Sequence, residues 1–183
     1  MTVPRSQASA DNNTEMNKVA IVLHTNYTKL GAADMPITTR FITADDEPKW
    51  RHYWTAYNEW YKRDLPEDVT TGTFARFLDD KVQMYCAVAE DENKQAIGFV
   101  TWFPHLSTAS LTPTVYLNDL FVDPVVRGEG AGGKLIDFVY EHAKTELGAK
   151  SVYWHTQHFN HSAQLLYVKK ADKSDFVHYK KIL

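Results

Sequence analysis

The sequence predicts an α+β fold, a mixed and mostly antiparallel sheet flanked by helices. Two apolar runs, VQMYCAVA and AIGFVTWF, are separated by the turn-forming DENK and read as a hairpin. Trp50, Tyr53, Trp54, Tyr57 and Tyr61 recur at i, i+3, i+4, i+7 and i+11, which is one aromatic helix face. Between the strand-like VYLNDLFV and the helical LIDFVYEHAKTEL lies RGEGAGGK. A strand, a glycine loop, a helix and a return strand insert one parallel pairing.

Taken in order, residues 1–36 are rich in Ala, Asn, Thr and Ser without a sustained period. They read as a mobile N-terminal extension, within which KVAIVLH could add a strand. Residues 37–183 form the expected domain. TTRFIT suggests a strand, and Asp45 or Asp46 before Pro48 starts the aromatic helix. TFARFL suggests a short helix before the hairpin. A polar loop over 107–114 leads to VYLNDLFV, which Asp123-Pro124 ends. Gly148 stops the helix that follows the glycine loop. SVYWHT is then a strand, Asn160 caps the short helix HSAQLLYVKK, and FVHYKKIL is a last strand.

Composition removes several classes of function. The 183 residues carry 44% hydrophobic and 23% charged side chains, an ordinary balance for one globular domain. A formal net charge of -3 gives no basic field for nucleic acid. One cysteine, Cys86, precludes an internal disulfide framework and a Cys-rich zinc site, and no metal is expected. Its place in MYCAVA makes it a packing residue and not a nucleophile. No apolar run approaches a membrane span, and the N-terminus shows no secretory signal, so a cytoplasmic or nuclear location is expected.

RGEGAGGKL, residues 127–135, fits three phosphate-binding patterns. A nucleotide P-loop needs Ser or Thr after its lysine to hold magnesium, and Leu135 stands there. A dinucleotide loop expects an acidic residue about 20 positions on, where the next strand ends His155-Thr156-Gln157. The third pattern, Arg127-x-x-Gly130-x-Gly132, is an acyl-coenzyme A loop, and its position between strand and helix suits it. Glycines let backbone N–H groups converge on a pyrophosphate at a helix N-terminus, and Arg127 adds a full charge.

With YLNDLFVDPVVRGEGAGGKLIDFVYE and the downstream VYWHTQHFNHSAQLLYVK, the chain resembles the GNAT acetyltransferase superfamily. EPKWRHYWTAYNEWYK and KVQMYCAVAEDE extend the resemblance over about residues 37–169. It is nearest the fungal group of histone-type and D-amino-acid N-acetyltransferases, with spermidine and thialysine acetyltransferases more distant. The resemblance implies the GNAT acyl-CoA N-acyltransferase fold and an acetyl-CoA-dependent N-acetyltransferase. Acetyl passes directly to a primary amine, most plausibly that of a small D-amino acid. Histone lysine or a polyamine is the alternative acceptor, and a non-catalytic acetyl-CoA-binding regulatory module is the contrasting class. The expected partners are a small-molecule amine, with histone tails as the alternative, and a second copy in a homodimer. Direct nucleic-acid and membrane contacts are not expected.

The resemblance also distributes roles. The backbone of Leu120, Phe121 and Val122 binds the pantetheine arm and polarises the acetyl carbonyl. Arg127, Gly128, Gly130, Ala131, Gly132 and Gly133 hold the pyrophosphate. Asn160 reaches a cofactor amide, and Tyr167 resembles the tyrosine that protonates the departing thiolate. Seven helical residues carry Asn160 and Tyr167 to roughly the same face, about 10.5 Å apart. A phenol near pKa ~10 needs local help to donate to a thiolate whose acid lies near ~8.5.

The base is less direct. Spermidine-type relatives place Glu where Asn118 stands, and Asn cannot accept a proton. Asp119 is the candidate base, although strand alternation turns it away from the Asn118 side unless a bulge intervenes. His155 could act through water. A lysine ammonium costs about 4 kcal/mol to deprotonate near neutral pH, so losing the Glu favours acceptors of lower pKa. Tyr57, Glu59 and Tyr61 are the candidate acceptor-side residues with Asn118 and His155, and Glu59 is assigned to a cationic amine. One departure stands out: the family's glycine after the tyrosine is absent from Lys169-Lys170-Ala171-Asp172. That leaves the end of the helix to run on or to close through Asp172.

Overall fold

The computed structural model describes residues 36–183. The N-terminal extension and its KVAIVLH segment lie outside the described residues, Pro36 apart. Strands β1 (Thr38–Phe41), β2 (Tyr85–Glu90), β3 (Ala96–Ser107), β4 (Ser110–Val122) and β5 (Val152–Tyr153) form one sheet in sequence order. The first four are antiparallel and β5 runs parallel to β4, the mixed arrangement expected.

The described residues also form four α-helices: α1 (Glu47–Trp60), α2 (Glu67–Phe77), α3 (Ala131–Thr145) and α4 (His161–Tyr167). The aromatic stripe of α1 does what its spacing requires. Trp50, Tyr53, Trp54 and Tyr57 are buried with Phe74, Cys86, Val88, Phe99 and Phe121 on one sheet face. On the other face Ala131, Leu135, Ile136, Val139 and Ala143 of α3 close over Ala87, Val100, Trp102, Val115 and Leu117. β2 is buried on both faces, which explains its unbroken apolar run.

The start of α1 is held electrostatically. Asp46 is its N-cap residue and Pro48 lies in its first turn. Arg40 donates to Asp46 at 2.6 and 2.8 Å, while its Nε donates to Glu90 at 2.8 Å. Burial works to raise the Asp46 carboxyl, yet hydrogen bonds from Arg40 and Thr43 hold it below its usual range.

Three expectations are corrected. Residues 107–114 are not a polar loop: β3 and β4 continue into a hairpin arm closed by Ser107 opposite Ser110. SVYWHT contributes only Val152–Tyr153 as strand, because pairing with β4 is confined to Val115 and Tyr116. FVHYKKIL is not a strand; residues 171–183 form no helix or strand and are exposed. The glycine-less end of α4 needs no left-handed residue. Lys169 N–H bonds Leu166 O and Lys170 N–H bonds Tyr167 O, tightening the last turn. Tyr140 then donates to Lys170 O at 2.9 Å, and Lys170 pairs with Asp137 at 2.6 Å.

Candidate active site

The site is built around β4. Opposite β3 the register slips between Thr101/Trp102, where Thr101 faces Asp119 and Trp102 faces Leu117. Asn118 is therefore the extra residue of a bulge. The slip reverses which side odd-numbered residues occupy. Val115 and Leu117 pack with α3, whereas Phe121 packs with α1. Asp119 follows Phe121 onto the α1 side, and simple alternation is overruled there. It is buried, with Thr101 Oγ1 donating to Oδ2 at 2.5 Å and Asn118 Nδ2 at 2.8 Å. Sequence reading missed Thr101, whose signal is a hydroxyl residue inside the apolar run FVTWF.

Tyrosines surround this carboxylate. Burial, then Asp119 and Tyr61, push the Tyr57 phenol far above its ordinary range. Tyr61 lies 4.9 Å from Tyr57, ring to ring. Tyr116, also missed, is raised by burial and by Tyr153 and Asp119, and its hydroxyl lies 3.3 Å from His155 Nδ1. Tyr167 packs against Trp154 at 5.3 Å, and burial with nearby Tyr61 pushes its phenol up to about 12. Tyr57, Tyr61, Asp119 and Tyr167 are thus brought together, with His155 linked through Tyr116. Glu59 is not: it is exposed, and two positions along a helix do not share the Tyr57 face. Asn118 is exposed as well and serves Asp119 through its amide.

Among the described residues no strand pairs with the β5-facing edge of β4 beyond Tyr116, so within them Leu120, Phe121 and Val122 border an opening in the sheet. At its end the glycine loop turns into α3. Gly128 (φ 93) and Gly130 (φ 97) adopt left-handed backbone, and a Cβ there meets open space. Gly132 answers a different demand, since a Cβ on it lies 3.1 Å from Leu166 Cδ2 of α4. Gly130 N-caps α3, and the first amides of that helix, from Ala131 through Gly133, have no partner within it. This cradle of donors, clear of side chains at Gly128 and Gly130, fits a diphosphate.

Two predicted groups sit differently. Arg127 folds back, its Nε donating to Val122 O at 3.0 Å and its guanidinium 5.8 Å from the Phe121 ring. Asn160 begins α4, but its side chain does not cap; Nδ2 donates to Thr156 Oγ1 at 3.3 Å. Lys134, the lysine of the P-loop pattern, donates to Ile37 O at 2.7 Å and is bound into the fold. Cys86 is buried and its thiol is raised well above its ordinary value by burial, so it is no nucleophile. Among the described residues no group of His, Cys, Asp and Glu is placed to hold a metal ion, and no helix is long and apolar enough to cross a membrane.

A strand that parts from its neighbour, a carboxylate turned toward tyrosines and a glycine-lined helix entrance define an acyl-group transferase. The Acetyltransferase (GNAT) family model matches residues 51–171, and the chain belongs to that family. It is accordingly an N-acetyltransferase, and GNAT enzymes use acetyl-CoA as co-substrate. It is 45% identical over 146 residues to D-amino-acid N-acetyltransferase HPA3 of Saccharomyces cerevisiae, covering 79% of this chain and 90% of that protein. An uncharacterized N-acetyltransferase, YhfO of Bacillus subtilis, is 40% identical over 91 residues, 49% of this chain and 60% of that protein. A ribosomal-protein-alanine N-acetyltransferase from Brucella melitensis superposes with a TM-score of 0.67 at 17% identity, covering 81% of this chain and 100% of that one. That likeness supports the fold alone.

Proposed function

We propose that this enzyme acetylates the primary amine of a small amino acid, of the D-amino-acid type, using acetyl-CoA bound across the β4 opening and the glycine loop. The carrying observation is the bulge at Asn118, which turns a buried carboxylate toward the tyrosine cluster beside that opening. The thioester, when bound, supplies an activated acetyl group. Gly128, Gly130, Ala131, Gly132 and Gly133 hold the diphosphate through backbone donors, and Leu120, Phe121 and Val122 offer the edge of β4. Asp119 receives the proton of the incoming ammonium, with Thr101 and Asn118 donating to its Oδ2 to hold the carboxylate in place. Tyr167 is the acid for the departing thiolate; burial keeps its phenol protonated but makes it a weaker acid, so the drive for the transfer comes from the closely approaching sulfur.

The 45% identity to an enzyme named for D-amino acids supports this acceptor over histone tails or polyamines. We infer a homodimer as the working form, supported by the exposed apolar side chains of Phe176, Val177, Tyr179, Ile182 and Leu183. The test is thiol release from acetyl-CoA with a panel of D- and L-amino acids, polyamines and histone peptides. Turnover with D-amino acids above all others is expected. Turnover confined to polyamines or peptides refutes the assignment of acceptor.

A further inference from the structure

The acceptor's amine is accounted for by Asp119, but an amino acid also brings a carboxylate that the groups described so far do not receive. The end of α1 supplies what is missing. Lys62 N–H bonds Glu59 O at 3.0 Å and Arg63 N–H bonds Asn58 O at 2.9 Å, closing the helix with Lys62 in left-handed backbone (φ 54). Glycine is the residue that this position favours. A lysine there spends backbone energy to place an ammonium.

Lys62 lines a cavity of about 570 Å³ between the end of α1 and the start of α4, together with Trp60, Tyr61, Gln157, Phe159 and Asn160 among others. Among the described residues no carboxylate lines it. Beside it the Arg63 guanidinium lies over the Tyr61 ring at 4.4 Å, and Tyr61 in turn touches Tyr57 at 4.9 Å. Among the described residues neither Arg63 nor Lys62 has an acidic partner within salt-bridge distance. The Arg63 charge also reaches inward, where it acts on the Tyr116 phenol. Two cations without an acidic partner among the described residues, next to a cavity that those residues leave without a carboxylate, disfavour a polyamine and favour an anion. The exposed rings of Trp60 and Phe159 offer the same cavity an apolar wall.

We propose that Lys62 and Arg63 form a carboxylate receptor, so that the enzyme selects amines bearing a carboxylate and seats an apolar side chain between Trp60 and Phe159. This rests on the small-amine acetyltransferase reading and adds the residues that choose among such amines. Arg63 supplies a planar fork held by the Tyr61 face, and Lys62 supplies a second charge from the cavity wall.

The test uses the full chain with D-phenylalanine, its amide, phenethylamine and spermidine, each variant being compared with wild type on the same substrate. Lys62→Gly removes the ammonium while relieving the left-handed backbone, so a loss cannot be ascribed to misfolding. Arg63→Met keeps an apolar stem over Tyr61. Each is expected to raise KM for D-phenylalanine about tenfold with kcat within about twofold, the two together by more. KM for the amide and phenethylamine should be unchanged, and that for spermidine unchanged or lower. Calorimetry should show the same weakening for N-acetyl-D-phenylalanine and none for N-acetylphenethylamine. Equal effects on acid and amide, or no effect on the acid, overturn the receptor while leaving the acetyltransferase intact. Absence of thiol release from wild type with every amine overturns the parent reading, and the receptor with it.

Discussion

Asp119 shows how one residue's chemistry depends on a neighbour that does none. Asn118 takes up the extra position, and Asp119 then faces Tyr57 with Thr101 and Asn118 both donating to it. Asp119→Asn keeps the shape and loses the proton acceptor, so kcat should fall about a hundredfold while coenzyme A binding, followed by calorimetry, stays the same. Tyr167→Phe should lower kcat by a similar factor with little change in cofactor affinity; wild-type turnover would remove it as the acid. Tyr167 has a further consequence for pH. Its folded value of about 12 exceeds the ordinary 10.0, so the folded chain keeps a proton that the unfolded chain releases first. That stabilisation is present below pH 10 and is lost as pH rises toward 12. A melting series across that window should therefore fall less steeply for Tyr167→Phe. The residue identities were legible in the sequence, but the bulge was not. It arises from pairing with Thr101 and Trp102 of β3, well upstream in the chain, and VYLNDLFV carries no glycine to announce it.

At the scale of elements, the glycine loop and the aromatic helix could be read from the chain because both are local devices. Spacing alone buries the α1 stripe, and left-handed backbone alone demands glycine at 128 and 130. Gly130→Ala should cost about 1–2 kcal/mol by forcing Cβ into that backbone, and should weaken coenzyme A binding by unsettling the entrance of α3. Thermal melting and calorimetry check the two effects. Gly98 was not singled out, yet a Cβ on it falls 2.6 Å from Phe121 O. Gly98→Ala must push β3 from β4 beneath the site, and a larger loss of stability than for Gly130→Ala is expected by the same melting measurement. The hairpin arm of β3 and β4 is not legible in the sequence because its Ser, Thr and Pro side chains are half-buried or exposed, so no apolar alternation marks it. The two-residue β5 fell short of its SVYWHT pattern because only its first residues remain beside β4.

For the whole molecule, the sheet divides the interior into an aromatic layer under α1 and an aliphatic layer under α3. Beyond them runs a C-terminal segment with strand-like alternation and no strand beside it in the described residues. If a second copy covers its apolar side chains, the full chain sediments as a dimer and a chain ending at Asp172 sediments as a monomer. Equal sedimentation of the two removes this segment from any assembly. The slip at Asn118 in β4 also sets a rule for how such a chain can change. Substitutions at 118 leave the count intact, but excising that position swings Tyr116 and everything before it through half a turn of the ribbon. Valine and leucine would then meet the tyrosines, a phenol would enter the aliphatic layer, and the diphosphate loop would remain correctly built on a protein that has lost its interior.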